Sequence, residues 1–276
     1  MAPPWNRIPF RRGLTLVELL VSMAVTGILA ATLGVLADSV SQTAKFDGGQ
    51  TDALQHAQVV IDRIERMVNE AYATETYPGV VVVDETVGSY RYPDTVVIWK
   101  PTGTPANPAG PPLVRELVII CPSPTNAGEL IEVTALNDSR TIALNEASLN
   151  TASGRTLING IKTASTSTKV QLTPLLRSAS TSGTSGTTSL RGCVRFECEL
   201  HPTAAEMTAF RGGTQAWNTL GWSQGLFSSS YGTRQVWLRM ELQLLSEPRD
   251  SDGAVSATAS TLPFFGSSAI YYAIPR

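Results

Sequence analysis

The residue types that most often carry catalytic chemistry are scarce in this chain. It has two histidines, His56 and His201, in 276 residues. A serine-type triad needs one of them as a positioned base, and we identify no nucleophile in a suitable context beside either. We therefore predict that the protein is not an enzyme and that both histidines are surface residues.

Metal binding is the second chemistry that these residues could support. Cys193, Cys198 and His201 are spaced as Cys-x4-Cys-x2-His, unlike the short paired spacings of zinc sites. On one extended strand the two cysteines would lie about 16 Å apart and could not form a disulfide. Two alternatives stay open: a disulfide from Cys121 to one of these cysteines, or three buried thiols. The Asp250–Gly253 turn lacks the further acidic ligands of a calcium loop, so we predict neither metal nor cofactor.

The amino-terminal region carries a more specific signal. Glu18 is the only charged residue from Leu14 to Ala37, and a helix over this range would be about 36 Å long, enough to cross a hydrocarbon core of about 30 Å. The preceding Met1–Gly13 has three arginines and no acid, which predicts that this end stays cytoplasmic. A secretory signal has a shorter apolar stretch. A plain anchor leaves Glu18 unexplained, because a carboxylate inside a membrane normally has a partner.

The segment Gly13-Leu14-Thr15-Leu16-Val17-Glu18 resembles the cleavage and methylation motif of type IV prepilins and type II secretion pseudopilins. The resemblance implies that a prepilin peptidase cuts between Gly13 and Leu14 and that the new amine of Leu14 is methylated. It also implies that Glu18 pairs with a terminal amine in the assembling filament. Leu14 departs from the family, which more often has phenylalanine there, but both residues are apolar.

Small residues recur along the predicted membrane helix. They have a spacing of four, with a second pair beside them: Ser22, Thr26, Ala30 and Gly34, then Gly27 and Ala31. Such a stripe lets helices approach closely in a membrane or a filament core, so we predict helix packing along it.

Beyond the anchor, the sequence predicts an α+β domain. Apolar residues from Leu54 to Ala71 recur every three or four positions, which predicts an amphipathic helix, and Gly48-Gly49 predicts a break before it. Short β-rich runs follow, the clearest from Arg234 to Leu245, whose apolar residues alternate. We expect a long N-terminal helix packed on an antiparallel β-sheet, a pilin-like fold.

The predicted domains follow from these patterns. They are a cleaved leader (1–13), a transmembrane and filament-core helix (14–37), a periplasmic helix continuation with a second amphipathic helix (38–77) and a β-rich globular domain (78–276). The Pro- and Gly-rich Lys100–Pro112 and the low-complexity Ser178–Ser189 are predicted to be weakly ordered loops.

The functional prediction is structural. A net charge of −2 excludes a strongly basic nucleic-acid binder, and we expect no nucleic-acid partner. The order of elements resembles the J-type minor pseudopilins and W-type minor pilins. The resemblance implies a subunit of a type II secretion pseudopilus or type IV pilus, anchored in the inner membrane with a periplasmic C-terminal domain. Its implied partners are a prepilin peptidase, other pilins or pseudopilins and inner-membrane lipid. The alternative is a membrane-anchored β-domain that acts as a binding module, adhesin-like or DNA-capturing.

Overall fold

The computed structural model describes residues 15–87, 90–182, 188–220, 231–247 and 260–275. The chain divides into two compact units, Met1–Gly48 and Gly49–Arg276. The predicted cleavage site at Gly13 and Leu14 lies outside the described residues, as does the Asp250–Gly253 turn.

The first helix, α1, runs from Leu16 to Asn69 as one helix, so the predicted break at Gly48-Gly49 is wrong. Packing explains why residue 49 is a glycine. A Cβ atom at Gly49 would lie 2.1 Å from the carbonyl oxygen of Ser246, so a residue without a side chain lets the helix approach this backbone. A Cβ atom at Gly48 would have no neighbour within 4 Å. Gly49 therefore marks a close contact of the helix, and neither glycine marks its end.

Three shorter helices and ten strands follow α1 in the described residues. The helices are α2 (Glu146–Leu149), α3 (Ala152–Thr163) and α4 (Ala204–Arg211). The strands are β1 (Val80–Val87), β2 (Tyr90–Trp99), β3 (Leu117–Pro122), β4 (Leu130–Thr134), β5 (Thr168–Thr173), β6 (Ser178–Ser182), β7 (Thr188–Gly192), β8 (Val194–His201), β9 (Tyr231–Leu245) and β10 (Thr261–Pro275). Two 3-10 turns lie at Val114–Glu116 and Trp217–Thr219.

All strand pairs among the described residues are antiparallel. They form a five-stranded sheet in the order β1-β2-β3-β4-β5, a three-stranded sheet in the order β10-β9-β8, and the hairpin β6-β7. The alternation predicted for β9 is confirmed, because its apolar face is buried: Val236, Leu238, Met240, Leu242 and Leu244. The predicted α+β, pilin-like class is confirmed as well, as a long N-terminal helix with antiparallel sheets.

Two apolar clusters lie on opposite faces of the five-stranded sheet. In β2, Val96 and Ile98 belong to one cluster while Val97 and Trp99 belong to the other, as the alternation of side chains in a strand requires. The first cluster also contains the inner face of the three-stranded sheet and the buried residues of α1, which are Ala53, Ala57, Val60, Ile64, Met67 and Val68. The second cluster contains residues of α2 and α3. Residues of both sheets are therefore buried together with the second half of α1.

A buried carboxylate binds the Pro- and Gly-rich segment Lys100–Pro112 and the residues on both sides of it. Glu116 accepts hydrogen bonds from the indole Nε1 of Trp99 at 3.2 Å, from the amide of Ala106 at 2.7 Å and from the amide of Leu113 at 3.2 Å. Weak order was predicted from the composition of the segment alone. That composition gives no sign of the carboxylate of Glu116, which lies outside the segment and accepts from it.

The outer edge of β1 is closed by a side chain. The carboxamide of Asn150, which follows α2, accepts a hydrogen bond from the amide of Asp84 at 2.8 Å and donates one to the carbonyl oxygen of Val82 at 3.3 Å. These are the two kinds of bond that a neighbouring strand would make. A strand cannot pair with this part of β1 while Asn150 occupies it.

Several elements were not predicted from the sequence. Helices α2 and α3 and the long strand β10 are new. Part of the predicted loop Ser178–Ser189 is the hairpin β6-β7, and residues 183–187 between its strands lie outside the described residues.

Candidate processing and assembly segment

The described part of this segment begins with a reciprocal set of hydrogen bonds at the start of α1. The amide and the hydroxyl of Thr15 both donate to Oε2 of Glu18, at 2.9 and 3.0 Å, and the amide of Glu18 donates to Oγ1 of Thr15 at 3.3 Å. This is a capping box, which satisfies amides at a helix start that lack a partner within the helix. Sequence reasoning missed Thr15, although the Thr-x-x-Glu spacing is the usual signal of a capping box.

The capping box does not neutralise the charge of Glu18. Thr15 is uncharged, and its amide and its hydroxyl both donate to the same oxygen. None of the ion pairs among the described residues includes Glu18. Within residues 15–87 and the other described ranges, the carboxylate therefore has no cation that compensates its charge at the start of this apolar helix.

The first half of α1 has the composition of a membrane span. Its most apolar 18-residue window has a mean hydropathy of 2.2, and no residue of that window is buried inside the structure. Hydroxyl groups in this half bond within the helix: Ser22 donates to the carbonyl oxygen of Leu19, and Thr26 to that of Ser22, at 2.9 and 2.8 Å. Such bonds satisfy polar groups where water is absent. The helix is therefore compatible with single-pass anchoring.

The small residues predicted to pack against other helices all belong to α1. A spacing of four puts Ser22, Thr26 and Ala30 along one side of α1, because residues four apart are neighbours on a helix surface. Cβ atoms at Gly27 and Gly34 would meet nothing within 4 Å. The helix surface is thus open at both glycines, and close packing of helices along it stays a prediction.

The histidines lie in separate places. His56 is a half-buried residue of α1, and His201 ends β8, where its Nε2 lies 3.3 Å from Oε2 of Glu199. Sequence reasoning also passed over a G-x-S-x-G pattern at residues 221–225, which lies outside the described residues. A nucleophile elbow joins a strand to a helix. Here the described elements on either side are a 3-10 turn and the strand β9, so the flanking context differs.

The structure holds the three cysteines as thiols. Burial raises the pKa of Cys121 to about 12 and that of Cys198 to about 12, so both stay protonated at neutral pH. The thiol of Cys198 donates to the carbonyl oxygen of Val80 at 3.6 Å. No group of three metal-ligating side chains is found within the described ranges.

A buried ionic cluster is the other chemical feature that sequence reasoning missed. Arg191 of β7 donates to Asp94 at 2.9 Å and to Glu85 at 2.8 Å, and Lys162 of α3 donates to the hydroxyl of Thr95 at 2.7 Å. The ammonium of Lys162 also lies 3.8 Å from Glu85. Two cations and two carboxylates thus join β1, β2, α3 and the β6-β7 hairpin, which makes the cluster a tertiary contact.

Comparison with known proteins bears on the amino-terminal segment alone. The family profile of the prokaryotic N-terminal methylation motif matches residues 9–34. No curated protein and no solved structure matches the chain. The matched residues include the predicted cleavage site, Glu18 and the stripe of small residues.

Proposed function

We propose that this chain, which by its N-terminal methylation motif and apolar helix fits the type IV pilin and pseudopilin family, is a minor structural subunit of an envelope filament. The motif implies processing by a prepilin peptidase and assembly with other pilins. The finer proposal is a minor subunit of a type II secretion pseudopilus or type IV pilus, of the J-type or W-type. The order of elements, one long helix followed by a large β-rich unit, supports it.

The observation that carries the proposal is the carboxylate of Glu18, which has no ion-pair partner among the described residues and lies in the matched methylation motif, after Gly13. A charged group in a membrane helix is costly unless it is paired. Cleavage after Gly13 would create an amine on Leu14, about one helical turn from Glu18 along the chain. The amine of one subunit pairing with Glu18 of the next would compensate both charges and fix the position of each entering subunit.

The proposal also covers the orientation of the chain in the membrane and a role without catalysis. The arginines at positions 7, 11 and 12 favour a cytoplasmic leader, an inner-membrane helix from Leu14 and a periplasmic second unit. The protein then acts by assembly, not by turnover: the helix waits in the membrane until subunits are extracted as their helices bundle.

Mass spectrometry of the exported protein tests processing. The expected amino terminus is Leu14 carrying one added methyl group, because the peptidase cuts after Gly13 and the new amine is then methylated. A mature chain that begins at Met1 or at Asp38 would contradict the proposal. Deletion of the host's prepilin peptidase is the control, and it should restore the terminus at Met1.

Two substitutions separate the charge of Glu18 from its role in the capping box. Glu18→Gln keeps an oxygen that can accept the bonds of Thr15 but removes the charge, whereas Thr15→Ala removes the capping hydroxyl and keeps the charge. We expect Glu18→Gln to insert in the membrane normally but to lose most of its incorporation into filaments. Thr15→Ala should be incorporated nearly as well as the wild type. Incorporation is measured by immunoblotting sheared filament fractions, and equal incorporation of wild type and Glu18→Gln would refute charge pairing.

A further inference from the structure

The three-stranded sheet β10-β9-β8 has one buried face and one exposed face. The even-numbered apolar residues of β9 point into the first cluster, so its odd-numbered residues from 235 to 243 point away from it. Residues directly opposite each other in an antiparallel pair point to the same side. The odd-numbered residues 263–271 of β10 and 195–201 of β8 therefore lie on the same surface, which we call the outer face.

Two aromatic side chains are exposed on the outer face, both on β10. Phe265 is 71% exposed and Tyr271 is 59% exposed. They are six residues apart on one strand, which separates them by about 20 Å. The carboxamide of Gln235 donates to the hydroxyl of Tyr271 at 3.0 Å and so restrains that ring. An occupant that contacts both rings must be extended.

Polar groups and a half-buried ring lie beside this strand on β9 and β8. The guanidinium of Arg239 lies 4.5 Å from the ring centroid of Trp237, forms an ion pair with Glu199 and lies 3.8 Å from Glu197. A guanidinium only donates hydrogen bonds and a carboxylate only accepts them, whereas a hydroxyl does both. This strip can therefore bond to a row of hydroxyl groups.

The charges of the outer face disfavour two other kinds of occupant. Two arginines and three glutamates lie on it: Arg195, Arg239, Glu197, Glu199 and Glu241. A single-stranded nucleic acid also stacks on aromatic rings, but it needs a positively charged surface for its phosphates. The core of a protein interface is depleted in glutamate, and the described residues of the outer face include no Val, Leu, Ile or Met.

We propose that the outer face binds an uncharged, cellulose-type glycan chain, with sugar rings stacked on Phe265 and Tyr271 and hydroxyl groups bonded to the polar strip between them. A sugar ring presents C–H groups on its faces, which contact an aromatic ring, and hydroxyls at its edges. A cellulose-type chain is an extended ribbon, as two stacking positions on one strand require. The surface belongs to the second unit alone, so this binding does not depend on processing of the amino terminus or on entry into a filament.

Isothermal titration calorimetry of the full chain tests the proposal, in micelles of a polyoxyethylene detergent that has no sugar headgroup. The probe is cellohexaose, and the control is maltohexaose, which has the same composition but coils. We expect cellohexaose to bind at least about tenfold more tightly, because only an extended chain reaches both rings. This comparison uses the wild type alone and does not depend on the folding of a variant. Equal binding of the two sugars, or binding of neither, would overturn the proposal.

Substitutions on the same protein test the stacking positions. Tyr271→Ala should weaken the binding of cellohexaose about tenfold, and Phe265→Ala should act similarly, because each removes one ring. Tyr271→Phe keeps the ring and should bind nearly as well as the wild type. Tyr90 is 64% exposed on β2, in the other sheet, and Tyr90→Ala is the matched control that should change nothing.

Three results with these variants would overturn the proposal. The first is unchanged binding to Tyr271→Ala. The second is a loss in Tyr271→Phe as large as that in Tyr271→Ala, which would assign the effect to the hydroxyl and not to the ring. The third is a wild-type dimer, seen by sedimentation velocity, that Tyr271→Ala dissociates and cellohexaose does not, which would assign the outer face to a second copy of this chain.

Discussion

Glu116 shows what a single buried side chain contributes to this structure. It is 8% exposed, and its two oxygens accept from three donors that belong to β2, to the Pro- and Gly-rich segment and to the residue before a 3-10 turn. Hydrogen bonds to a charged acceptor are stronger than those between neutral groups. Glu116 therefore contributes to the order of a segment whose own composition favours weak order.

We expect Glu116→Ala to lower the free energy of unfolding by about 2–3 kcal/mol, because the donors of Trp99, Ala106 and Leu113 lose their acceptor. Urea unfolding of the full chain in detergent micelles, followed by tryptophan fluorescence, measures this change. Glu70→Ala is the control, since Glu70 forms an exposed ion pair with Lys100, at the start of the same segment, and its loss should change little. Equal effects of the two substitutions would contradict the assignment.

At the scale of elements, α1 combines two kinds of helix in one chain. Its first half is apolar on all sides, whereas its second half buries one face against both sheets. Gly49, near the start of the second half, has the backbone of Ser246 where its Cβ would be. Gly49 therefore has no room for a side chain, whereas the adjacent Gly48 does.

Gly49→Ala should lower the free energy of unfolding by about 1–3 kcal/mol, because the new methyl group must displace the backbone of Ser246. The neighbouring Gly48→Ala should raise it by up to about 1 kcal/mol, because alanine favours the helix and the position is open. Urea unfolding of both variants under the same conditions gives the comparison. A gain in stability in both would show that the close contact at Gly49 does not matter.

Local patterns predicted the elements whose signals are local. The apolar run after Gly13 predicted the first half of α1 and the alternation predicted β9, but the continuity of α1 through Gly48-Gly49 was not predicted. Strand β10 was missed because Pro263 and Gly266 interrupt its pattern. Gly266 lies in close tertiary packing there, since a Cβ atom would lie 2.8 Å from the side-chain Cγ2 of Ile61 of α1.

The same limit applied to the candidate site. The spacing from Gly13 to Glu18 is a local signal, and the matching family profile supports the interpretation placed on it. Arg191 gave no signal, because its partners Asp94 and Glu85 are far away in sequence and only the fold brings them together.

At the scale of the whole molecule, the buried ionic cluster makes the free energy of unfolding depend on pH. It contains two carboxylates, Glu85 and Asp94, whose pKa values are shifted in opposite directions. Burial alone would raise the pKa of Glu85, but Lys162 and Arg191 outweigh it and hold the pKa below the ordinary value of 4.5. Burial raises the pKa of Asp94, and the same two cations offset only part of the shift. Glu85 therefore contributes stability above pH 4.5 that is lost as pH falls through its folded pKa. Asp94 contributes in the opposite direction, because the folded state binds its proton more tightly.

We expect Glu85→Gln to reduce the loss of stability between pH 7 and about pH 3.5, because the variant no longer has a carboxylate with a lowered pKa. Asp94→Asn should increase that loss, because it removes the group that favours folding on acidification. The free energy of unfolding in urea at the two pH values measures both slopes. Slopes that change in the same direction would contradict the assigned roles.

The bond between Asn150 and the edge of β1 has a consequence for aggregation. Residues 80–83 are four consecutive valines, a segment with the composition from which cross-β aggregates grow, and they lie on the outermost strand of the sheet. Since the Asn150 carboxamide occupies the main chain at Val82 and Asp84, this strand cannot act as a template for the same strand of another molecule. Copies of this chain at high local concentration are thus kept from pairing through this strand, and any association is left to other parts of the chain.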